Sequence, residues 1–179
     1  MDSRRHILNI AGFDEDAIAE GPGLRFVLFV QGCCNKCPGC HNPQTHEFGI
    51  GQNYYAEDIY SIVKKNPLQT GVTFSGGEPF CQAGALAALG RLLRNDGYDI
   101  AVYSGNTFES LFNDDDPDIR DLLSVADILV DGPFIQERQN RQLMFRGSDN
   151  QRILDMHKSL KAGYGIWTSD ELWLRNGHF

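Results

Sequence analysis

Residues 25–40 read Arg-Phe-Val-Leu-Phe-Val-Gln-Gly-Cys-Cys-Asn-Lys-Cys-Pro-Gly-Cys. The apolar run from Arg25 to Val30 has the pattern of a strand buried on both faces, and it breaks directly into a cysteine-rich loop. The same arrangement recurs along the chain. Gly71–Phe74 is a second short strand, ending at Ser75-Gly76-Gly77. Ile100–Tyr103 is a third, ending at Ser104-Gly105, and Ile128–Val130 is a fourth, running into Asp131-Gly132-Pro133. Arg152–Leu154 is a fifth.

Between these strands lie helical patterns. Ala56–Lys65 places Ile59, Ile62 and Val63 at helical spacing, and Ala85–Leu93 repeats apolar residues at 85, 86, 89, 92 and 93. Strands alternating with helices predict an α/β fold with a mostly parallel sheet and helices packed outside it. A chain of 179 residues is too short for eight full βα units. The expectation is therefore a partial, open (β/α) barrel, formed by a single domain over residues 1–179. In parallel α/β architectures chemistry collects at the C-terminal ends of the strands. Each unusual motif falls at such an end, which points to one site.

The composition is ordinary for a globular protein, with 41% hydrophobic and 22% charged residues. A net charge of -8 argues against a protein that grips nucleic acid or anionic membrane through its overall field. Arg138, Arg141, Arg146 and Arg152 form a local basic group, most simply a solvated face. No stretch is apolar enough to span a bilayer, and no apolar signal core follows the charged Met1–Arg5. The expected location is the cytoplasm, with no nucleic acid or membrane partner.

Four of the five cysteines (Cys33, Cys34, Cys37 and Cys40) crowd into one loop, and only Cys81 stands apart. Crowding of this kind indicates metal or cluster ligation rather than a disulfide framework. Thiolates hold iron–sulfur clusters, and three ligands on one loop leave one iron of a four-iron cluster open. From the cysteines alone, a zinc site completed by His41 or His46 stays open, and Cys37-x2-Cys40 has the spacing of a redox pair. At the next strand end, Gly76 and Gly77 allow backbone to approach a ligand, and Glu78 adds an anion able to pair with an ammonium group.

Cys33-x3-Cys37-x2-Cys40 followed by Gly76-Gly77-Glu78-Pro79 resembles the radical S-adenosylmethionine superfamily. The resemblance implies that Cys33, Cys37 and Cys40 ligate a [4Fe-4S] cluster. It also implies that Gly76, Gly77 and Glu78 help to seat S-adenosylmethionine, whose amino and carboxylate groups chelate the open iron. Three further segments narrow the likeness: Gly21-Pro22-Gly23-Leu24-Arg25, Asp131-Gly132-Pro133-Phe134, and Phe145-Arg146-Gly147-Ser148 with Asn150-Gln151-Arg152. Over roughly residues 18–160 the chain is similar to the activating proteins of anaerobic ribonucleoside-triphosphate reductases. Many superfamily members carry an aromatic residue before the third cysteine, whereas here Gly39 stands there and His41 follows.

The resemblance adds Gly39, Cys40, His41, Ser104, Asp131 and Arg146 to the cofactor-binding wall. Arg152 lies beside the most specific segment. It implies an oxidoreductase that cleaves S-adenosylmethionine reductively and raises a glycyl radical on the large catalytic subunit of that reductase, fed by a reductant such as flavodoxin. A radical enzyme acting on a small molecule and a non-catalytic zinc adaptor are the alternatives. Cys34 and Cys81 are expected in small buried apolar roles. The tail Lys161–Phe179 is expected to serve as a packing arm or a partner contact.

Overall fold

The computed structural model describes residues 6–174; the charged start Met1–Arg5 and the last five residues of the tail lie outside them. Seven strands form one sheet: β1 (Ile7–Ala17), β2 (Arg25–Val30), β3 (Gln52–Tyr55), β4 (Gly71–Gly76), β5 (Asp99–Tyr103), β6 (Ile128–Asp131) and β7 (Arg152–Asp155). Their order across the sheet is β3-β1-β2-β4-β5-β6-β7. The four strands expected in the middle are there, with β2, β4, β5 and β6 paired in parallel.

The sheet is open, with two separate edges, β3 and β7. One expectation needs correction. The sheet is mixed rather than mostly parallel: β1 runs antiparallel to both β2 and β3, and β7 runs antiparallel to β6. The reason lies in the connections: residues 18–24 between β1 and β2 are too few for a crossover, and segment 132–151 before β7 contains no α-helix to carry the chain back to the starting end.

The helices are α1 (Ala56–Val63), α2 (Ala83–Asn95), α3 (Phe108–Phe112), α4 (Pro117–Val125), α5 (Met156–Ala162) and α6 (Glu171–Leu174). Contacts of α1 with α2, α2 with α4, and α4 with α5 make them a row. Alternation along the strands divides the interior in two. Ile100, Val102, Leu129 and Leu154 join the large core with Leu86, Leu89 and Leu122 of the helices. Ala101, Ile128, Val130 and Ile153 turn the other way, into a smaller cluster with Phe145 and Trp173.

The same second face carries a fully buried cation. Arg25 has no solvent exposure; its Nε donates to Thr73 Oγ1 at 2.8 Å and its Nη2 to the Val72 carbonyl at 3.0 Å. Asp99 pairs with it at 2.5 Å, and the ring of Trp173 covers its guanidinium at 5.5 Å. Trp173 therefore places this part of the tail as a packing arm. Replacing Arg25 by Met keeps the stem but leaves Thr73 and the Val72 carbonyl without their donor. Breaking a buried, hydrogen-bonded charge is expected to cost about 3 kcal/mol. Asp99→Asn leaves the buried cation without its anion, but from a half-exposed position that water can reach, and should cost less, about 2 kcal/mol. Urea unfolding midpoints of the two variants check this order.

Candidate functional site

Loop 31–46 leaves the C-terminal end of β2 and is tied at both ends. The Gly32 N–H donates to the Thr45 carbonyl at 2.8 Å and the Cys33 N–H to the His46 carbonyl at 3.1 Å. Inside the loop, the Cys40 N–H donates to the Cys37 carbonyl at 3.1 Å and closes the turn over Pro38-Gly39. Cys33 is buried, Cys37 and Cys40 are half-buried, and all three line one cavity of ≈ 390 Å³. That volume lies within the range of small-ligand pockets.

Burial pushes the Cys33 thiol up from its ordinary value, and the backbone N–H groups of Lys36 and Asn35 pull it back. A further N–H, that of Asn42, points at Cys40 Sγ at 3.4 Å. Backbone donors aimed at sulfur suit a thiolate that carries charge to iron and tune a cluster's potential. Among the described residues, no three His, Cys, Asp or Glu side chains converge closely enough to hold one metal ion. Each thiolate of a four-iron cluster takes a different iron, so its ligands spread wider than those of a single zinc.

Next to the loop, β4 ends in Gly76 and Gly77. Gly76 has φ +96°, and a Cβ on Gly77 would stand 2.2 Å from the Gly32 carbonyl oxygen. Glycine at both positions lets the strand end lie against the cysteine loop. There the Gly77 N–H donates to the Val30 carbonyl and the Glu78 N–H to that of Gly32, each at 2.8 Å.

Glu78 lines the cavity, and its buried carboxylate accepts four hydrogen bonds. Phe80 N–H (3.1 Å) and Ser104 Oγ (3.0 Å) donate to Oε1, while Asn35 Nδ2 (3.0 Å) and Gly105 N–H (2.9 Å) donate to Oε2. Burial pushes its carboxyl up, and these donors pull it down. The group ties the loop after β2, the turn after β4 and the end of β5 together. Ser104 lines the cavity, but its hydroxyl hydrogen goes to Glu78.

Asp131 differs from its expected role. It does not line the cavity; its neighbour Gly132 does. The Asp131 carboxylate accepts from the Phe108 N–H at the start of α3 (2.7 Å) and from Arg152 Nε (2.9 Å). Arg152 also bonds Glu109 at 2.7 Å, and this pairing pulls the Glu109 carboxyl down to about 2. Asn150 Nδ2 donates to the Pro133 carbonyl (2.8 Å). Gln151 Nε2 donates to the Gly132 carbonyl (3.0 Å), while its Oε1 accepts the Gly147 N–H (2.8 Å). The Asn-Gln-Arg segment is thus the brace for the end of β6.

Gly39 likewise stays off the cavity wall and packs against Gln136. His41 does line it, its ring 4.9 Å from that of Phe134. Arg146 lines it too. Its Nη1 bonds the Gln151 carbonyl at 2.8 Å and its guanidinium covers Trp167 at 5.2 Å, but its buried Nε has no partner. Arg138 makes an exposed pair with Asp149, as a solvated face would.

The spare cysteines overturn their expectation: Cys34 and Cys81 are both exposed. Although the residue as a whole is exposed, local desolvation of the Cys81 thiol, helped by the charges of Cys34 and Glu78, pushes it up to about 12. Sequence reasoning passed over Asn35 and Gln151. The available signals were a side-chain amide inside the cysteine loop and another inside the most specific segment.

The family described as the 4Fe-4S single cluster domain matches residues 19–154. An anaerobic ribonucleoside-triphosphate reductase-activating protein of Vibrio cholerae is 36% identical over 76% of this chain and 90% of its own length. One of enterobacteria phage T4, with the same name, is 34% identical over 84% of this chain and 92% of its own. A pyruvate formate-lyase-activating enzyme of Listeria monocytogenes is 30% identical over 88% of this chain and 63% of its own.

Two outcomes follow from these networks. Glu78→Gln turns an amide NH2 toward two of the four donors and is expected to cost about 2–3 kcal/mol, read from denaturant midpoints. The Glu109 carboxyl sits near 2 instead of its ordinary 4.5. Its ion pair therefore adds stability that is present above pH 4.5 and is lost as pH falls toward 2. A urea midpoint followed from pH 6 to pH 3 should fall less steeply in Arg152→Met than in the unaltered protein.

Proposed function

The chain belongs to the family of anaerobic ribonucleoside-triphosphate reductase-activating proteins, and on that premise we infer that it is the activating enzyme of such a reductase. The observation that carries the reading is the convergence of Cys33, Cys37 and Cys40 with the bare backbone of Gly76 and Gly77 on one cavity. In this reading the three thiolates would hold a [4Fe-4S] cluster and leave one iron without a protein thiolate. The chemistry that the reduced cluster and S-adenosylmethionine supply there is cleavage of the S–C5′ bond and removal of a hydrogen atom from a glycine of the partner subunit.

The chain's own residues bind and orient. The Gly76–Gly77 backbone takes the amino end of the cofactor, and Glu78 holds that backbone in place. Arg146, with a buried Nε lacking a partner, takes a carboxylate. His41 and Phe134 form the wall opposite the strand ends. Backbone N–H groups at Cys33 and Cys40 support the thiolate charge.

Around this site we place a partial, open (β/α) barrel in one domain, a cytoplasmic setting and a reductant such as flavodoxin. No helix among the described residues is long and apolar enough to cross a membrane.

Anaerobic reconstitution is the test. It should give about four irons per chain, methionine and 5′-deoxyadenosine with a strong reductant, and a glycyl radical signal on the added reductase subunit. Cys33→Ala should abolish all three. A protein that takes up only zinc and never yields 5′-deoxyadenosine would overturn the reading.

A further inference from the structure

Beyond α5 the tail carries a second tryptophan, besides Trp173. Trp167 belongs to neither core cluster and does not line the cavity. It is nonetheless held in place. Segment 166–168 runs along β7: the Asp155 N–H donates to the Ile166 carbonyl and the Thr168 N–H to the Ile153 carbonyl, each at 2.9 Å. Trp167 sits between these bonds, paired with Leu154, and is 45% exposed. A ring so placed adds little to the core. It lies instead against the Arg146 guanidinium, 5.2 Å from the ring centroid.

Arg146 reaches the cavity from a strained turn. Phe145, just before it, has φ +59°, in the left-handed region that a bulky side chain rarely adopts. The Tyr103 hydroxyl donates to the Phe145 carbonyl at 2.9 Å, and the Phe145 ring packs on Trp173 at 5.3 Å. Strain of this kind persists only where its surroundings hold it, and it gathers at ligand sites. What the turn delivers is a guanidinium fixed twice: Nη1 by the Gln151 carbonyl at 2.8 Å, and one face by Trp167. The buried Nε, with no partner, is left for a ligand. A planar fork loses less freedom per hydrogen bond when it is set beforehand.

We propose that Trp167 is a positioning residue of the cofactor site, fixing the Arg146 guanidinium so that it receives the carboxylate of S-adenosylmethionine. The inference rests on the activity proposed above. An unrestrained arginine would lose side-chain freedom on gripping a carboxylate, and Trp167 takes that loss in the free protein. Trp167 stays off the cavity wall and acts through Arg146.

The test measures equilibrium binding of S-adenosylmethionine and of its decarboxylated analogue. It uses the anaerobically reconstituted protein with the cluster oxidised, so that no cleavage occurs. Trp167→Leu should weaken S-adenosylmethionine roughly three- to tenfold, as loss of a partly desolvated cation–π contact would, and change the analogue less than about twofold. Trp167→Phe, which keeps a ring over the cation, should retain most of the affinity. In Arg146→Met, adding Trp167→Leu should have little further effect, because the two side chains act as one unit. The urea midpoint of Trp167→Leu should stay near that of the unaltered protein. Equal losses for both ligands would mean general damage to the cavity and overturn the proposal. Unchanged affinities with a lower glycyl radical yield on the reductase subunit would also overturn it, making Trp167 a docking contact. An unaltered protein that binds no S-adenosylmethionine would sink the proposed activity itself, and this inference with it.

Discussion

One buried carboxylate organises the catalytic end of this protein. Glu78 collects donors from the loop after β2, its own turn and the end of β5, and the residue is almost fully buried. A buried carboxylate is tolerable only when its lone pairs are filled, and here the filling groups are the segments that must be held together. Gly76 and Gly77 make this possible by letting β4 run against the cysteine loop without side chains between them. The cavity is the space left over by that clasp, and the cysteines line one of its walls.

A second clasp, at the far side of the cavity, uses the same logic with opposite chemistry. Arg152 joins Asp131 to Glu109, and the amides of Asn150 and Gln151 hold the turn after β6. These residues come from the segment that most sharply narrows the family. Their contacts nevertheless go to protein backbone and protein carboxylates. A family-specific sequence can thus specify a frame, with the ligand met by neighbours such as Arg146.

The central strands were legible because they are continuous apolar runs that end in glycine or cysteine. The edge pair β1 and β3 was not. The second half of β1 carries Asp14, Glu15 and Asp16, and β3 is Gln-Asn-Tyr-Tyr, so neither has the alternation that betrays a half-buried strand. Among site residues, the cysteines and the glycine pair announced themselves by spacing along the chain. Glu78 was placed in the right wall, but its protein donors were not legible, because Asn35 and Gly105 sit 43 and 27 residues away. Asp131 was misread for the same reason: a carboxylate at a strand end looks the same in sequence whether it faces a ligand or an arginine. The exposure of Cys34 and Cys81 depends on how two turns meet, and no local pattern encodes that.

Trp173 lays its face over Arg25 and its edge against Phe145. During synthesis β2 leaves the ribosome early, while the aromatic cover for its buried cation arrives only when residue 173 has been made. Until then Arg25 has Thr73 and Asp99 but one open side, and the cluster around Val130 and Ile153 lacks its largest apolar member. The helical half of the molecule has no such debt, because its core is complete once α5 has docked. Vectorial folding would therefore proceed from the helix-covered face inward, and the face behind the cavity would set last.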